Sequence, residues 1–210
     1  LFISHNLSAI VYQTSESSKV GEIVLTHKED NVIYCAIGGD GTLSNLIDHL
    51  LKNNIHEPEV ACLPSGSGSD FMRTFAMPVD IHQAISRIKN NQNYSIDVSL
   101  IESKTKSRYF INVLNYGFLA ETVNLSEKLP NIFKRFRYPI SFWLKIILAS
   151  ATETHVDTDR GEFNGNAFNI SVCNAQYFGG GWNISPKSSL QDGLFNLQIF
   201  EVTKLKEMKK

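Results

Sequence analysis

The first half of the chain contains two short apolar runs, each followed by a glycine-rich turn and a helical pattern. Residues 32–37 form the first run, and their lack of polar alternation is typical of a strand covered on both faces of a parallel sheet. After it, apolar side chains recur at helical spacing, at Leu43, Leu46, Ile47, Leu50 and Leu51. Residues 60–63 form the second run, and Asp70 is predicted to cap a helix that ends at Phe75. Two strand-turn-helix units are therefore predicted.

One more helix is predicted before the pattern changes to strands, from Tyr94 onward. Asp80 is predicted to cap a helix whose apolar face consists of Ile81, Ala84, Ile85 and Ile88. Polar residues 90–93 then mark a predicted boundary between domains 1–92 and 93–210. The remaining predicted elements are a short strand at 11–14, strands at 95–101, 109–116 and 195–199, and helices at 119–128 and 141–151.

The first glycine-rich turn carries candidate chemistry. Gly38, Gly39 and Gly41 lack a Cβ, so their backbone can approach a bound group closely. Thr42 is predicted to cap the following helix, whose free amides and dipole suit a phosphate. Asp40 would repel a phosphate unless a cation lay between them, which indicates a Mg²⁺-nucleotide. The motif is neither a Walker loop nor GxGxxG. The alternative is an ordinary strand-to-helix turn with a solvated aspartate.

Composition narrows the class of protein. With 210 residues and 42% hydrophobic content, the chain can form one large or two small cores, and its net charge of −1 does not indicate a nucleic-acid partner. We recognise no signal peptide and no apolar stretch of the ~18 residues that span a bilayer, so a cytoplasmic protein is expected. Cys35, Cys62 and Cys173 lie in apolar strand patterns and are expected to be buried, reduced thiols.

Four ordered blocks resemble one family. They read GGDGTL at 38–43, LPSGSGSDFMR at 63–73, RYFINVLNYGF at 108–118 and NAQYFGGGWNISPKSSLQDGLF at 174–195. These blocks resemble the catalytic domain of the diacylglycerol kinase-like lipid kinases, whose usual forms include GGDGTxNE and PLGTGNDFAR. The resemblance implies a three-layer α/β nucleotide-binding domain, like that of NAD kinase and phosphofructokinase, followed by a mostly β domain, a β-sandwich. It also implies a site in the cleft between the two domains.

The resemblance further implies an ATP site. Its positions in this chain are Thr14, Gly38, Gly39, Asp40, Gly41, Thr42, Leu43, Ser44, Asn45, Gly66 and Ser67. Ser67 stands where the family has an ATP-contacting threonine, and serine keeps the hydroxyl. Two alternatives remain open at this point. Thr14 is also compatible with an ordinary turn residue, and the Ser/Gly-rich residues 64–73 with a flexible linker.

A Mg²⁺ site is implied in the last block. The matching positions are Ser189, Asp192 and Leu194, which would supply one carboxylate and two backbone carbonyls as hard-oxygen ligands. The alternative is a hairpin turn, because Asp-Gly is a strong turn signal. ATP and Mg²⁺ are thus the expected cofactors.

The activity implied by the resemblance is transfer of the γ-phosphoryl group of ATP to a hydroxyl of a membrane lipid such as diacylglycerol. The family's catalytic glutamate is expected beyond Lys210, and its first strand before Leu1, so no residue here is assigned as the base. An NAD kinase-like enzyme is an alternative, although its second block would differ. A non-catalytic nucleotide-binding homologue is another, motivated by departures at Ser44, Asn45, Ser69 and Leu119. The acceptor lipid and a homodimer are left open.

A basic and aromatic segment precedes residue 146. Its basic residues are Lys134, Arg135, Arg137 and Lys145, and its aromatic residues are Phe133, Phe136, Tyr138, Phe142 and Trp143. The pattern is compatible with an amphipathic surface that docks on anionic lipid, which would place the protein at the periphery of a membrane. The interpretation favoured here is a core-facing helix that has a solvated basic side.

Overall fold

The computed structural model describes residues 2–28, 31–65, 69–77, 80–130, 137–148 and 150–201. The chain forms two compact units. The first unit comprises Leu1–Val113 and Asn174–Phe195, and the second comprises Leu114–Cys173 and Asn196–Lys210. The chain therefore leaves the first unit and later returns to it. The domain boundary at residue 92 stays a prediction.

Helices and strands alternate in the first 90 residues, and strands dominate afterwards. The described helices are a 3₁₀ helix at Ile3–His5, α1 at Ser17–Thr26, α2 at Asp40–Lys52, α3 at Asp70–Thr74, α4 at Ile81–Lys89, α5 at Phe118–Lys128 and α6 at Arg137–Leu148. The described strands are β1 at Tyr34–Gly38, β2 at Val60–Pro64, β3 at Ser99–Glu102, β4 at Ser107–Phe110, β5 at Val113–Gly117, β6 at Thr152–Thr158, β7 at Gly161–Cys173, β8 at Tyr177–Phe178, β9 at Trp182–Asn183 and β10 at Asn196–Glu201.

The first unit is built around the parallel pair β1 and β2. The register runs from Tyr34 opposite Val60 to Gly38 opposite Pro64, so both strands end at the same edge. One face of the pair packs against α2 and α3, through Ala36, Leu43, Ile47, Phe71 and Met72. The other face packs against α4, through Leu63, Ala84 and Ile85. This helix-sheet-helix arrangement is the predicted three-layer architecture.

The strands of the first unit differ in detail from the prediction. Residues 11–14 do not form a strand, and the chain instead forms α1 shortly after them, a helix that the sequence analysis does not predict. Val32 and Ile33 precede β1, and Ile37 within it is 47% exposed. The prediction that residues 32–37 are a strand covered on both faces is therefore wrong in part.

Helix caps in the first unit confirm one prediction and correct two. Asp80 caps α4, since its Oδ1 accepts a hydrogen bond from the Gln83 amide at 2.9 Å. Thr42 does not cap α2, because the carbonyl of Gly39 already accepts the amides of Thr42 and Leu43 and so opens the helix earlier. Asp70 is the first residue of α3 rather than its cap.

The second unit is centred on the long strand β7, which pairs antiparallel with β6 and β10 and shares its sheet with β5. The ring of Phe118 in α5 lies 5.3 Å from that of Phe142 in α6 and 6.1 Å from that of Phe168 in β7, measured between ring centres. These contacts join the helices of this unit to its sheet. The prediction of a mostly β second domain is confirmed.

Several boundaries in the later half of the chain also shift. The strand predicted at 109–116 is two strands, β4 and β5, separated by a bend at Ile111 and Asn112. Helix α6 begins at Arg137, four residues before the predicted start. The hairpin of β6 and β7 is not predicted. Strand β10 is half-buried along most of its length rather than alternately buried and exposed.

Candidate functional site

The turn between β1 and α2 leaves the start of a helix open. Gly39 is the N-cap in an extended conformation, and its residue type provides no side chain to bond the helix amides. A Cβ built on Gly41 would meet no atom of the described residues within 4 Å, so none of those residues fills the space beside it. Gly38 is constrained differently, because a Cβ there would lie 2.4 Å from Oγ1 of Thr42. The turn thus combines exposed amides with room for a group to approach them.

Asp40 connects this turn to the second glycine-rich segment. Its Oδ2 accepts a hydrogen bond from the amide of Asp70 and its Oδ1 from the amide of Phe71, both at 3.0 Å. The amide of Ser65 also donates to the carbonyl of Gly38 at 3.3 Å. The structure therefore brings the two motifs together, as their positions after neighbouring parallel strands require.

Asp70 is a site residue that the sequence analysis treats only as a helix cap. It is 5% exposed, and its Oδ2 accepts a hydrogen bond from the amide of Gly180 at 2.9 Å. Its Oδ1 has no hydrogen-bond partner among the described residues, and Nε of Arg73 lies 3.7 Å away. The aspartate of the GSGSD block, matched to GTGND, is the signal that identifies it in retrospect.

Gly180 lies in a turn of three glycines, residues 179–181, whose φ angles are 64°, 90° and 111°. An L side chain rarely adopts such angles, so the three glycines are required by the backbone. The fourth block thereby presents an amide to Asp70, which lies 110 residues earlier in the chain. Three glycine-rich segments that are distant in sequence are linked through two aspartates.

The other residues predicted to bind ATP have mixed surroundings. The side chain of Leu43 is buried in the core, which leaves only its backbone for a ligand. Oδ1 of Asn45 accepts a hydrogen bond from the hydroxyl of Ser17 at 2.6 Å. Thr14 forms a local turn with Glu16 ahead of α1, not at a strand end. Gly66 and Ser67 lie outside the described residues, and Ser44 in α2 is half-buried.

The predicted metal positions lie in one loop. Oδ1 of Asp192 accepts the amide of Leu194 at 3.1 Å, and Oγ of Ser189 accepts the amide of Gln191 at 3.2 Å. A second carboxylate reaches the same loop, since Oδ2 of Asp97 accepts the amide of Gly193 at 2.7 Å. Two carboxylates and nearby carbonyls are hard-oxygen donors, so the donor set fits Mg²⁺ in kind.

Within the described residues, no group of three or more His, Cys, Asp or Glu side chains lies close enough to hold a metal ion. A Mg²⁺ in the loop of Asp192 would therefore depend on backbone carbonyls and water for most of its ligands. Hydrogen bonds join the segment that contains this loop to earlier parts of the first unit. The amide of Asp97 donates to the carbonyl of Leu190 at 2.7 Å, and Nδ2 of Asn174 donates to the carbonyls of Asp97 and Ile111.

Two thiols lie on β1 and β2, the strands that precede the two glycine-rich segments. Burial, with a smaller contribution from the Asp40 carboxylate, raises the pKa of Cys62 from 9.0 to about 11. Burial and the neighbouring Cys62 raise the pKa of Cys35 from 9.0 to about 12. Both thiols are therefore protonated at neutral pH and are poor nucleophiles. All three cysteines are free, as predicted, but only Cys173 is fully buried, so the predicted burial is wrong in part for Cys35 and Cys62.

The basic and aromatic segment is only partly described, since residues 131–136 lie outside the described ranges. The guanidinium of Arg137 donates to the carbonyl of Leu129, and Nζ of Lys145 lies 2.8 Å from Oε2 of Glu121. Trp143 is 66% exposed. The described basic side chains are thus paired within the second unit, and docking on lipid stays a prediction. In the part of the chain that the structure describes, no helix is long and apolar enough to cross a membrane.

Comparison with known proteins gives consistent matches along the chain. The family model for the diacylglycerol kinase catalytic domain matches residues 1–101, and that for the YegS C-terminal NAD kinase beta sandwich-like domain matches residues 112–210. Curated diacylglycerol kinases of Staphylococcus aureus strains JH9 and Newman are 28% identical over 204 residues. The alignment covers 94% of this chain but 63% of those relatives, so the chain spans less than two thirds of their length.

A solved structure shares the fold. The crystal structure described as a diacylglycerol kinase from Bacillus anthracis str. Sterne superposes with a TM-score of 0.74 at 20% identity, covering 99% of this chain and 67% of that one. The predicted fold class, an α/β domain followed by a sandwich-like domain, is confirmed. The chain therefore belongs to the diacylglycerol kinase-like lipid kinase family.

Proposed function

We propose that this protein binds ATP with Mg²⁺ and transfers the γ-phosphoryl group to a hydroxyl of a membrane lipid such as diacylglycerol. The observation that carries this proposal is the meeting of two glycine-rich segments, where Asp40 accepts the amides of Asp70 and Phe71. Relatives named diacylglycerol kinase support the class of acceptor. Because such an acceptor lies in a bilayer, the protein would act at a membrane surface.

The N-terminus of α2 is the proposed phosphate site. Its amides and the positive end of its dipole attract anions, and the free space at Gly41 allows the phosphate to approach closely. Phosphoryl transfer is catalysed mainly by positioning and by neutralising charge, and amides held in place do both. Bound Mg²⁺ would neutralise further phosphate charge. The residues proposed to hold it are Asp97 and Asp192, with carbonyls at Ser189 and Leu194.

The test is a transfer assay on the whole protein with radiolabelled ATP and Mg²⁺. Separate reactions would offer vesicles containing diacylglycerol, phosphatidylglycerol or sphingosine, and one would offer NAD⁺. The Gly41→Ala variant is the control, because its added methyl would occupy the proposed phosphate space without meeting a described atom. Asp40→Ala is a poorer control, since it would also remove two hydrogen bonds at the start of α3.

Label in a lipid, lost in the control, is the expected result. Label in NAD⁺ instead would favour the NAD kinase-like alternative. Mg²⁺-dependent ATP binding without transfer to any acceptor would favour a non-catalytic homologue. One contact is relevant to that last alternative, because Asn45 stands where the family has a glutamate and is already bonded to Ser17.

A further inference from the structure

We propose that Asp40 and Asp70 are positioning residues that hold two glycine-rich turns and the start of α3 in one arrangement, and that neither acts by binding the metal. The turns are those at residues 38–41 and 179–181, and α3 starts at Asp70. We call these two side chains and their bonded amides the carboxylate relay. The inference rests on the proposed function for its effect on ATP, but its geometry is independent of any activity.

The first step of the relay joins two helix starts directly. Asp40 is the first residue of α2, and each of its carboxylate oxygens accepts one of the first two amides of α3, from Asp70 and Phe71. A carboxylate is a strong acceptor for helix-start amides, because its charge complements the positive end of the helix. With both oxygens at 3.0 Å from amides, the side chain is oriented toward α3.

The second step joins α3 to the turn of three glycines. Oδ2 of Asp70 accepts the amide of Gly180, whose φ of 90° only glycine adopts readily. Gly181 is equally constrained, since its φ is 111° and an added Cβ would lie 3.3 Å from the Arg73 guanidinium. The carboxylate of Asp70 therefore bonds the tip of this turn, whose base is held by the pairing of β8 with β9, and its glycines allow its conformation.

Burial of Asp70 argues for a role in positioning rather than in stability. A buried carboxylate with few partners costs free energy compared with an apolar side chain of similar size. Asp70 is 5% exposed, yet only one of its oxygens has a hydrogen bond among the described residues. Nε of Arg73 lies 3.7 Å from the other oxygen, so the groups that Asp70 contacts are the Gly180 amide and this guanidinium, and we assign it the role of orienting them.

The experiment compares Asp40→Asn and Asp70→Asn with Asp48→Asn in the whole protein. Asp48 is a matched control, because it is also a buried aspartate of α2 that accepts a backbone amide, that of Tyr109 at 2.9 Å, but it lies outside the relay. The readouts are amide exchange at Asp70, Phe71 and Gly180 by NMR, affinity for a fluorescent ATP analogue, and the Mg²⁺ concentration that gives half-maximal binding.

The relay variants are expected to speed exchange at the amides that they release, and to weaken ATP binding by about tenfold or more. Their Mg²⁺ requirement should stay within about twofold of the wild type. Asp48→Asn should change neither readout beyond about twofold. Exchange is measured without nucleotide. It therefore tests the hydrogen bonds of the relay even if the whole protein transfers phosphate to no lipid.

Two results would overturn the proposal. If Asp40→Asn left exchange at Asp70 and Phe71 unchanged, the relay would not hold the start of α3. If Asp40→Asn or Asp70→Asn raised the Mg²⁺ requirement by about tenfold while ATP bound normally without metal, the carboxylate would act as a metal ligand.

Discussion

Each compact unit contains a strand that passes through glycine into a helix, and the two turns use glycine for different reasons. In the first unit, β1 leads through Gly38 and Gly39 into α2, and neither glycine nor Gly41 has a positive φ. In the second unit, β5 leads through Gly117 into α5, and Gly117 has a φ of 96°. The first turn needs space, whereas the second needs a backbone conformation.

The two helix starts also differ in what occupies them. The amide of Leu119 near the start of α5 donates to Oδ1 of Asn169 at 2.9 Å, so a side chain of the same unit fills that position. Gly39 offers α2 no side-chain cap, and the carboxylate of Asp40 is directed to α3 instead. A strand-glycine-helix pattern alone therefore does not indicate a ligand site. What distinguishes the first turn is that nothing described fills the space at Gly41.

Replacing Gly117 by alanine should have the largest effect. An alanine there would adopt an unfavourable φ, and its Cβ would lie 2.5 Å from the carbonyl oxygen of Phe168. We expect the free energy of unfolding, measured in urea, to fall by about 3 kcal/mol. Gly161→Ala is the control, since Gly161 has a φ of 143° but open space around it. Equal losses in both variants would show that the contact with Phe168 is unimportant.

Replacing Gly41 by alanine should change the free energy of unfolding less than Gly117→Ala does, and in the opposite direction. Alanine favours a helix over glycine, so the free energy of unfolding should stay level or rise by up to about 1 kcal/mol. ATP affinity should nevertheless fall by about tenfold, which corresponds to 1.4 kcal/mol. Thermal unfolding and titration with a fluorescent ATP analogue would measure the two quantities. Normal ATP binding would instead support the ordinary-turn interpretation of residues 38–41.

The smallest expected effect is a change in the pKa of Cys62, which the carboxylate of Asp40 in the first turn helps to raise. Because the pKa of Cys62 is raised in the folded state, this thiol stabilises the fold below pH 9.0 and loses that contribution as pH rises toward about 11. Asp40→Asn should lower the pKa of Cys62 but leave it above 9.0, since burial is the larger cause. Thiolate absorbance in a Cys35→Ser, Cys173→Ser background would follow the titration. An unchanged pKa would mean that Asp40 does not influence this thiol.

Local sequence patterns predict the parts of the fold whose signals are local. The apolar face of α2 and the cap at Asp80 are examples, and both are confirmed. Helix α1 is missed because Gly21 and several β-branched residues give it a low helix propensity, and contacts such as that of Ser17 with Asn45 help to hold it. The hairpin of β6 and β7 is missed because β6 is mostly polar and exposed.

In the candidate site, too, features made of contiguous residues are predictable and contacts between distant residues are not. The turn at 38–41 is recognisable because its glycines and its aspartate are contiguous, and the structure places it beside the start of α3. The role of Asp70 was not predictable from local pattern, since its partner Gly180 lies 110 residues away. Spacing in sequence cannot specify which backbone amide a buried carboxylate will meet. Only the return of the chain to the first unit creates that contact.

That return affects how the protein is made. As the chain emerges from the ribosome, residues 1–113 appear long before Asn174, whose side chain bonds the carbonyls of Asp97 and Ile111. The first unit therefore cannot finish folding until the whole of residues 114–173 has been synthesised, although domains are usually completed in order of synthesis. A gene split between the two matched regions, after residue 101 or before residue 112, would leave the N-terminal product without the glycine turn that Asp70 bonds.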